Sequence, residues 1–501
     1  MSPRNRWFVL AIVSSALFLI VIDMTVLYTA LPRLTHDLSA TASEKLWIIN
    51  AYPLVVAGLL PGLGTLGDKL GHKRLFMAGL LVFGAASLFA AYSPSPAMLI
   101  AARVLLAVGA AMMMPATLSI IRLTFTDENE RALAIGIWAA IASGGAALGP
   151  VIGGALLEYF WWGSVFLINV PVVIIAFSFA AFLLPHRPGT SGKPWDLIGS
   201  LQIMVGLVGI TYAIKEVSKR TPSVEAGLAA LIIGVAAMVL FIKRQRKSSS
   251  PLIDFTLFRN SRFSSGVAAA LVASAALIGV ELVFSQRLQL VLGLSPLEAG
   301  LLILPIPLAS FFAGPLTGLA LPRLGAERVM WLALGLTGGA LAGFLLTYNN
   351  GSTLWLAALV VMGFGVGSAM TAASSAIMLS APEDRAGMAA SVEEVSYELG
   401  GAFGVAIMGS LMSAIYTASM ILPAGLAVDP VVSDSLDEAL IAAEKLDPVL
   451  AEHITALARA AFDQAFVGVV GMAVVLLLAT ATGIGFASVR ARSNQTESFD
   501  H

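Results

Sequence analysis

Glu393, Glu394 and Glu398 stand within one apolar stretch of the chain, and Asp23, Glu281 and Arg103 each interrupt another. An ionisable side chain in hydrocarbon costs several kcal/mol, so its presence there is first a functional signal. Five acids against one clear base leave the interior negative. In a low dielectric an unpaired carboxylate either takes a proton or finds a cation. A chain that keeps several acids with so little compensating charge is built to trade one option for the other. That is the chemistry of cation/proton exchange. The histidines His36, His72, His186, His453 and His501 fall in polar connections or at the tail, and cysteine is absent. A proton carrier within the membrane must therefore be a carboxylate, and disulfides and thiolate metal sites are excluded.

Spacing refines this. Glu394 and Glu398 are four apart and share a helix face; Glu393 lies one position round, above Tyr397. The stretch begins near Gly387, just after a polar turn at Pro382–Arg385. At 1.5 Å per residue, Glu393 and Glu394 lie roughly 10 Å into a core about 30 Å thick, and Glu398 about 17 Å. Asp23, counted from Trp7, is roughly 24 Å from the inner face. Acids this close titrate as a coupled set. Hydrogen bonds from Ser, Thr or Tyr are the structural alternative for each acid, above all Glu281. Arg103 has two readings, a structural partner for an acid or a gate on proton flow. Tyr28, Tyr52, Trp138, Phe166, Tyr397 and the run Met112–Met114 are candidates for a cavity lining, because ring faces attract organic cations and Met adapts to varied shapes. Packing against lipid or other helices is the alternative for each.

These groups need a membrane scaffold, and the composition supplies one. Of 501 residues, 58% are hydrophobic and 12% charged, against about 25% charged in soluble domains. About fourteen stretches reach the roughly 20 apolar residues a spanning helix needs: roughly 7–28, 46–66, 75–93, 98–120, 133–157, 164–184, 195–214, 225–242, 263–285, 297–321, 329–348, 353–378, 387–415 and 464–488. The first lacks a small-x-small cleavage site and reads as a membrane helix rather than a secretory signal. With the N-terminus inside, about twenty Lys and Arg fall in inner segments and about eight in outer ones, which gives an N-in, C-in topology. The connection of about 416–463 is acidic and falls outside.

The halves resemble each other. Gly64–Arg74 lies on Gly318–Arg328 without a gap, and Gly145-xxx-Gly149 matches Gly400-xxx-Gly404 at nearly the same offset of about 254 residues. The plan is six helices over 1–190, two inserted helices and a linker over 191–260, then six more over 261–501. Repeated bundles are how many secondary transporters build alternating access around a midplane site.

Several motifs carry a family resemblance. Gly64-Thr-Leu-Gly-Asp68-Lys-Leu-Gly71-His-Lys73-Arg74 resembles the loop motif of the major facilitator superfamily between its second and third helices. Arg103-Val-Leu-Leu-Ala-Val-Gly109 is similar to the fourth-helix motif, with Leu106 and Ala107 where Gln and Gly are usual. Gly145-Ala-Ala-Leu-Gly149-Pro150-Val-Ile-Gly153-Gly154 resembles the fifth-helix motif of the drug antiporters. Asp23–Pro32 and Trp162–Pro171 look like signatures of the fourteen-helix drug:proton antiporters. The resemblance spans essentially the whole chain. It implies an all-α polytopic membrane protein with the major facilitator fold, two pseudo-symmetric six-helix bundles plus two inserted helices. It also implies proton-coupled export of lipophilic organic cations (quaternary ammonium compounds, dyes, viologens) by alternating access, from the bacterial inner membrane.

In that setting Asp68, Lys69, Lys73 and Arg74, with Gly71, clamp neighbouring helix ends in one conformation, the alternative being simple positive-inside topology. The glycines Gly145, Gly149, Gly153 and Gly154 permit close helix contact, and with Pro150 they form a hinge or seal. The expected partners are organic cations, protons and the bilayer around a monomer, with no cofactor besides the coupling proton and no metal. A net charge of −1 gives no sign of nucleic acid. Gly192-Lys193 lacks the rest of a phosphate loop, so ATP drive is not expected, and no hydrolase motif is present. A proton-coupled importer of a small nutrient on the same fold is the alternative function, against which the fifth-helix pattern and the excess of acids weigh.

Overall fold

The computed structural model describes residues 3–40, 42–185, 189, 195–217, 223–248, 251–349, 353–422 and 430–497. Among them, fourteen helices are long and apolar enough to cross a membrane. The helices that form these spans are α1 (Pro3–Asp37), α2 (Ala42–Leu70), α3 (His72–Ala91), α4 (Pro96–Thr124), α5 (Glu128–Tyr159), α6 (Asn169–Leu183, whose span starts with a short turn at Ser164), α7 (Leu197–Val217), α8 (Val224–Lys247), α9 (Ser261–Gln286), α10 (Pro305–Leu324), α11 (Ala326–Thr347), α12 (Leu354–Ser380), α13 (Ala386–Ser419) and α14 (Pro448–Glu497). Caps in the polar connections set several of the starts. Ser95, Asp127 and Ser223 place an oxygen on the otherwise orphaned N–H groups of Met98, Glu130 and Ala226. Pro53, Pro61, Pro115, Pro150 and Pro315 lie inside helices that run through them, which a membrane helix tolerates where neighbours satisfy the freed carbonyls.

The acidic connection is shorter than hydropathy alone suggests. α13 runs to Ser419 and α14 begins at Pro448, well before its apolar part. The residues from 448 to 463 include five Ala and two Leu, good helix formers whatever their hydropathy, and Asp447 caps them by accepting the Leu450 N–H. Between the two helices, Leu436–Ala443 forms a short helix, and the Tyr416 hydroxyl donates to the Val432 carbonyl at 3.0 Å.

Two large apolar clusters hold the bundle, one built mainly from α1–α6 and one from α9–α14. The glycine matches between the halves have structural counterparts. Gly71 and Gly325, at matching places in the repeated turn, both adopt positive φ (93° and 79°) at the start of the next helix, a conformation that favours glycine. α7 and α8 form a hairpin around a small core of Ile203, Leu207 and Phe241. α7 packs on both α2 and α13, and Trp195 just before it donates to the Gly62 carbonyl at 3.1 Å. The division expected at 190/191 falls on residues outside those described.

The linker after α8 is fastened too. Asp254 pairs with Arg385 and accepts the Thr256 N–H at 2.9 Å. Burial pushes its carboxyl up, but the Thr256 hydrogen bonds and the Arg385 charge outweigh that and hold it below its ordinary value. A depressed carboxyl stabilises the fold above the unfolded value of about 4 and loses that contribution as pH falls through the folded one. For a partly exposed pair the effect is about 0.5–1 kcal/mol. Asp254→Asn should therefore melt about one degree below the parent at pH 7, with the two converging as pH falls below the folded value in detergent melts. A gap that persisted in acid would assign the loss to packing.

Candidate transport site

Asp23 is carried by α1 into the first cluster, where it is 2% exposed. Arg103 on α4 donates to Asp23 Oδ2 at 2.7 Å, and Asn169 on α6 donates to Oδ1 at 3.0 Å. The same amide reaches Ser87 Oγ on α3 at 3.2 Å. Arg103 Nε donates to the Ile48 carbonyl at 3.4 Å, and its guanidinium lies 4.6 Å from the centre of the Tyr52 ring on α2. Five helices thus meet at one buried ion pair whose remaining donors and acceptors are largely occupied, the condition under which such a pair is tolerated. Of the two readings of Arg103, this geometry gives the pairing.

Tyr52 is fully buried, and its hydroxyl has no hydrogen-bond partner among the described residues. It stands within electrostatic reach of Asp23 and Arg103 on one side and of Glu398 on the other. It therefore lies between the two sets of acids. By residue type alone it is only a cavity candidate.

The second set is on α13. Glu393 is 0% exposed, Glu394 is 5% exposed, and Glu398 is partly open. Glu393 Oε1 accepts from Ser374 on α12, whose hydroxyl lies 3.5 Å from that of Tyr397; Tyr397 in turn donates to the Met370 carbonyl at 3.3 Å. Glu393 Oε2 and Glu394 Oε1 are buried with no partner among the described residues. Glu394 is in electrostatic reach of both Glu393 and Glu398. Glu281 lies across from this set on α9. It is exposed, on the α9 stripe of Ser274 and Ile278 that meets α13.

The single-base expectation needs correction. Arg122 and Arg287 are also buried. Arg122 ends α4 and donates to the Ala381 carbonyl. Arg287 continues α9 as a π-helical turn, pairs with Asp463 on α14 at 2.8 Å and lies 4.7 Å from the centre of the Tyr348 ring. Hydropathy placed both outside the spans. Each is engaged at a helix end, away from Glu393 and Glu394.

The halves meet tightly at the end that carries the 64–74 turn. Asp68 accepts the backbone N–H of Gly387 at 2.8 Å and of Met388 at 3.1 Å, so it caps α13 from the other half. Gly64 and Gly387 touch through their backbones, as do Gly136 and Gly314, and Gly318 with Ala132. Ser143 and Ser310 are 2.9 Å apart. Lys73 donates to the Ala181 and Leu184 carbonyls at 2.8 Å each, closing the end of α6. Arg74 is exposed on the first turn of α3.

Gly145, Gly149 and Gly153 of α5 line the contact with α1, and a methyl at Gly149 would collide with Thr25. Gly400 and Gly404 of α13 approach the Leu271 and Ala275 carbonyls of α9 in the same way. Gly154, expected in this seam, faces open space. Gly149→Val should therefore cost about 2 kcal/mol or more through overpacking, read as a drop in detergent melting temperature, whereas Gly154→Ala should be silent. Equal effects would reject the seam.

The aromatic candidates divide. Trp138 donates to Thr117 at 3.1 Å and Phe166 is 1% exposed; both sit in the first apolar cluster rather than on an open cavity. The side chain of Tyr28 lies outside those described. Asn169, Ser87 and Ser374 were missed as site residues. Asn169 was visible as a lone amide beside an apolar run, whereas the two serines carry no such signal.

Residues 13–405 match the Major Facilitator Superfamily. The chain belongs to that superfamily. It is 41% identical over 492 residues to the methyl viologen resistance protein SmvA of Salmonella typhimurium, covering 97% of this chain and 99% of that one. It is 38% identical over 489 residues to the multidrug efflux pump LfrA of Mycolicibacterium smegmatis, covering 97% of each. A crystal structure of the human organic anion transporter MFSD10 (TETRAN) shares the fold with a TM-score of 0.61 at 15% identity, over 95% of this chain and all of that one. With fourteen spanning helices, this is a multi-pass transporter of the bacterial inner membrane rather than an enzyme.

Proposed function

We propose that this protein is a proton-coupled antiporter that exports lipophilic organic cations, including dications of the viologen kind. The observation that carries the reading is the pair of buried carboxylates on α13, Glu393 and Glu394, each with an unpartnered oxygen, beside the partly open Glu398. Carboxylates held in that way take up protons, and at those the cation reaches, exclusive occupancy by one or the other couples their movements. The names of SmvA and LfrA agree with efflux and with a dicationic substrate.

With the N-terminus inside, the tight seam at Asp68, Gly64 and Gly387 is on the cytoplasmic side, and the arrangement is the outward-facing member of an alternating-access pair. Release of cation to the outside and protonation of the acids then precede rocking of the two bundles about this seam. Asp23, when protonated, would loosen Arg103, so the N-terminal ion pair adds a second proton-sensitive contact. A monomer suffices for this scheme. Expressed in a pump-deficient cell, the protein should raise tolerance to lipophilic mono- and dications, with neutral drugs affected less. Protection against anionic or neutral compounds with none against cations would overturn the reading.

A further inference from the structure

We propose that Glu393 carries a coupling proton without ever touching the transported cation, and that Ser374 positions it for that task. The inference rests on the antiport reading and divides the α13 acids by role. Exposure falls along them, from the partly open Glu398 through Glu394 at 5% to Glu393 at 0%. Glu393 turns into the α12 interface, where Ser374 occupies one of its oxygens. A bulky organic cation has no room there, whereas a proton needs none. Glu394 and Glu398, four apart on one face, are left for the cation.

Ser374 is well placed to hold Glu393 in this role. It is 1% exposed, and Tyr397, one turn along α13 from Glu393, approaches its hydroxyl at 3.5 Å. The ionisable groups in electrostatic reach of Glu393 are Glu394 and Tyr397 of its own helix. Among the described residues, the buried ionisable groups on the helices packed against α13, and Asp68, have other partners: Arg103 with Asp23, Asp68 with the start of α13, Arg122 with Ala381, Glu216 with Ser223, and Arg287 with Asp463. Tyr52 lies toward Glu398, Glu281 is exposed, and α12 has no ionisable residue. The step changes only O–H bonds. One proton joins a Glu393 oxygen from the side the pump faces and leaves to the other side after the bundles rock.

The test uses the full chain in proteoliposomes with tetraphenylphosphonium as probe and an imposed gradient of one pH unit. Each coupled proton multiplies the attainable accumulation ratio by about ten per pH unit. Glu393→Gln should lower the steady-state ratio about tenfold while the Kd for tetraphenylphosphonium stays within about twofold. Ser374→Ala should leave that Kd unchanged and move the midpoint of the pH profile of exchange by about one unit, with Ser374→Thr restoring it. A tenfold or greater loss of affinity in Glu393→Gln would place the cation on Glu393, and an unchanged ratio would deny it a proton. Should Glu393→Gln not fold, the serine pair still decides, because a pH profile that Ser374→Ala leaves unmoved overturns the positioning role. Failure of the parent protein to accumulate the probe would defeat the antiport reading itself, whereas accumulation in the parent and equal accumulation in Glu393→Gln would defeat this inference alone.

Discussion

Asp23→Asn is expected to reduce cation transport by at least about 100-fold and to lower stability at the same time, because it leaves Arg103 buried without its counter-charge. Removing one member of a buried pair costs about 3–5 kcal/mol, most of it the penalty on the charge left behind. The amide keeps the shape of the carboxylate, so Asn169 loses little, while Arg103 loses its 2.7 Å partner. The second variant, Asp23→Asn with Arg103→Gln, removes both charges and should recover most of the melting temperature. It should not recover transport, since the proton-sensitive contact is then gone. Recovery of both would make the pair a structural fastener and take Asp23 out of the mechanism.

The second large effect is on α13. Glu398→Gln should abolish transport in protein that is inserted and folded, since the swap keeps shape and removes ionisation. Glu394→Gln should weaken cation binding by about 2 kcal/mol, close to 30-fold, the scale of losing a desolvated charge partner. Glu393→Gln should leave binding nearly intact. A dication such as methyl viologen should lose more than a monocation in Glu394→Gln, because both shared carboxylates are then needed. The measurement is titration calorimetry on purified protein with both ligands. Unchanged affinity for both ligands in all three variants would show that the acids serve coupling only.

Much of this site was legible before any coordinates. Charges in apolar runs stand out, so Asp23, Arg103 and the α13 glutamates could be named from the chain, and the i, i+4 spacing put Glu394 and Glu398 on one face. Partnership was not legible, because it depends on which helices touch. Arg103 and Asp23 are 80 residues apart, and nothing local says that Asn169 takes the second oxygen. Ser374 was invisible for a different reason. Hydroxyls in membrane helices mostly bond their own backbone, as Thr371 does to the Gly367 carbonyl, so one that reaches a carboxylate has no sequence signature. Arg287 was misplaced because hydropathy ended its span too early, where the helix continues through a π turn. The glycine repeat fared better: Gly71 and Gly325, and the Gly145/Gly149 and Gly400/Gly404 pairs, have matching structural duties because backbone approach and positive φ leave few other residues possible.

If the interior acids exchange a cation for protons, proteoliposomes under an imposed pH gradient will show it without other pumps or ATP. With the lumen acidic and the protein oriented to load cation from outside, methyl viologen should accumulate against its concentration gradient, collapse on addition of a protonophore, and be abolished by Glu398→Gln. Accumulation that ignores the protonophore, or that survives Glu398→Gln unchanged, would overturn proton/cation exchange at these acids.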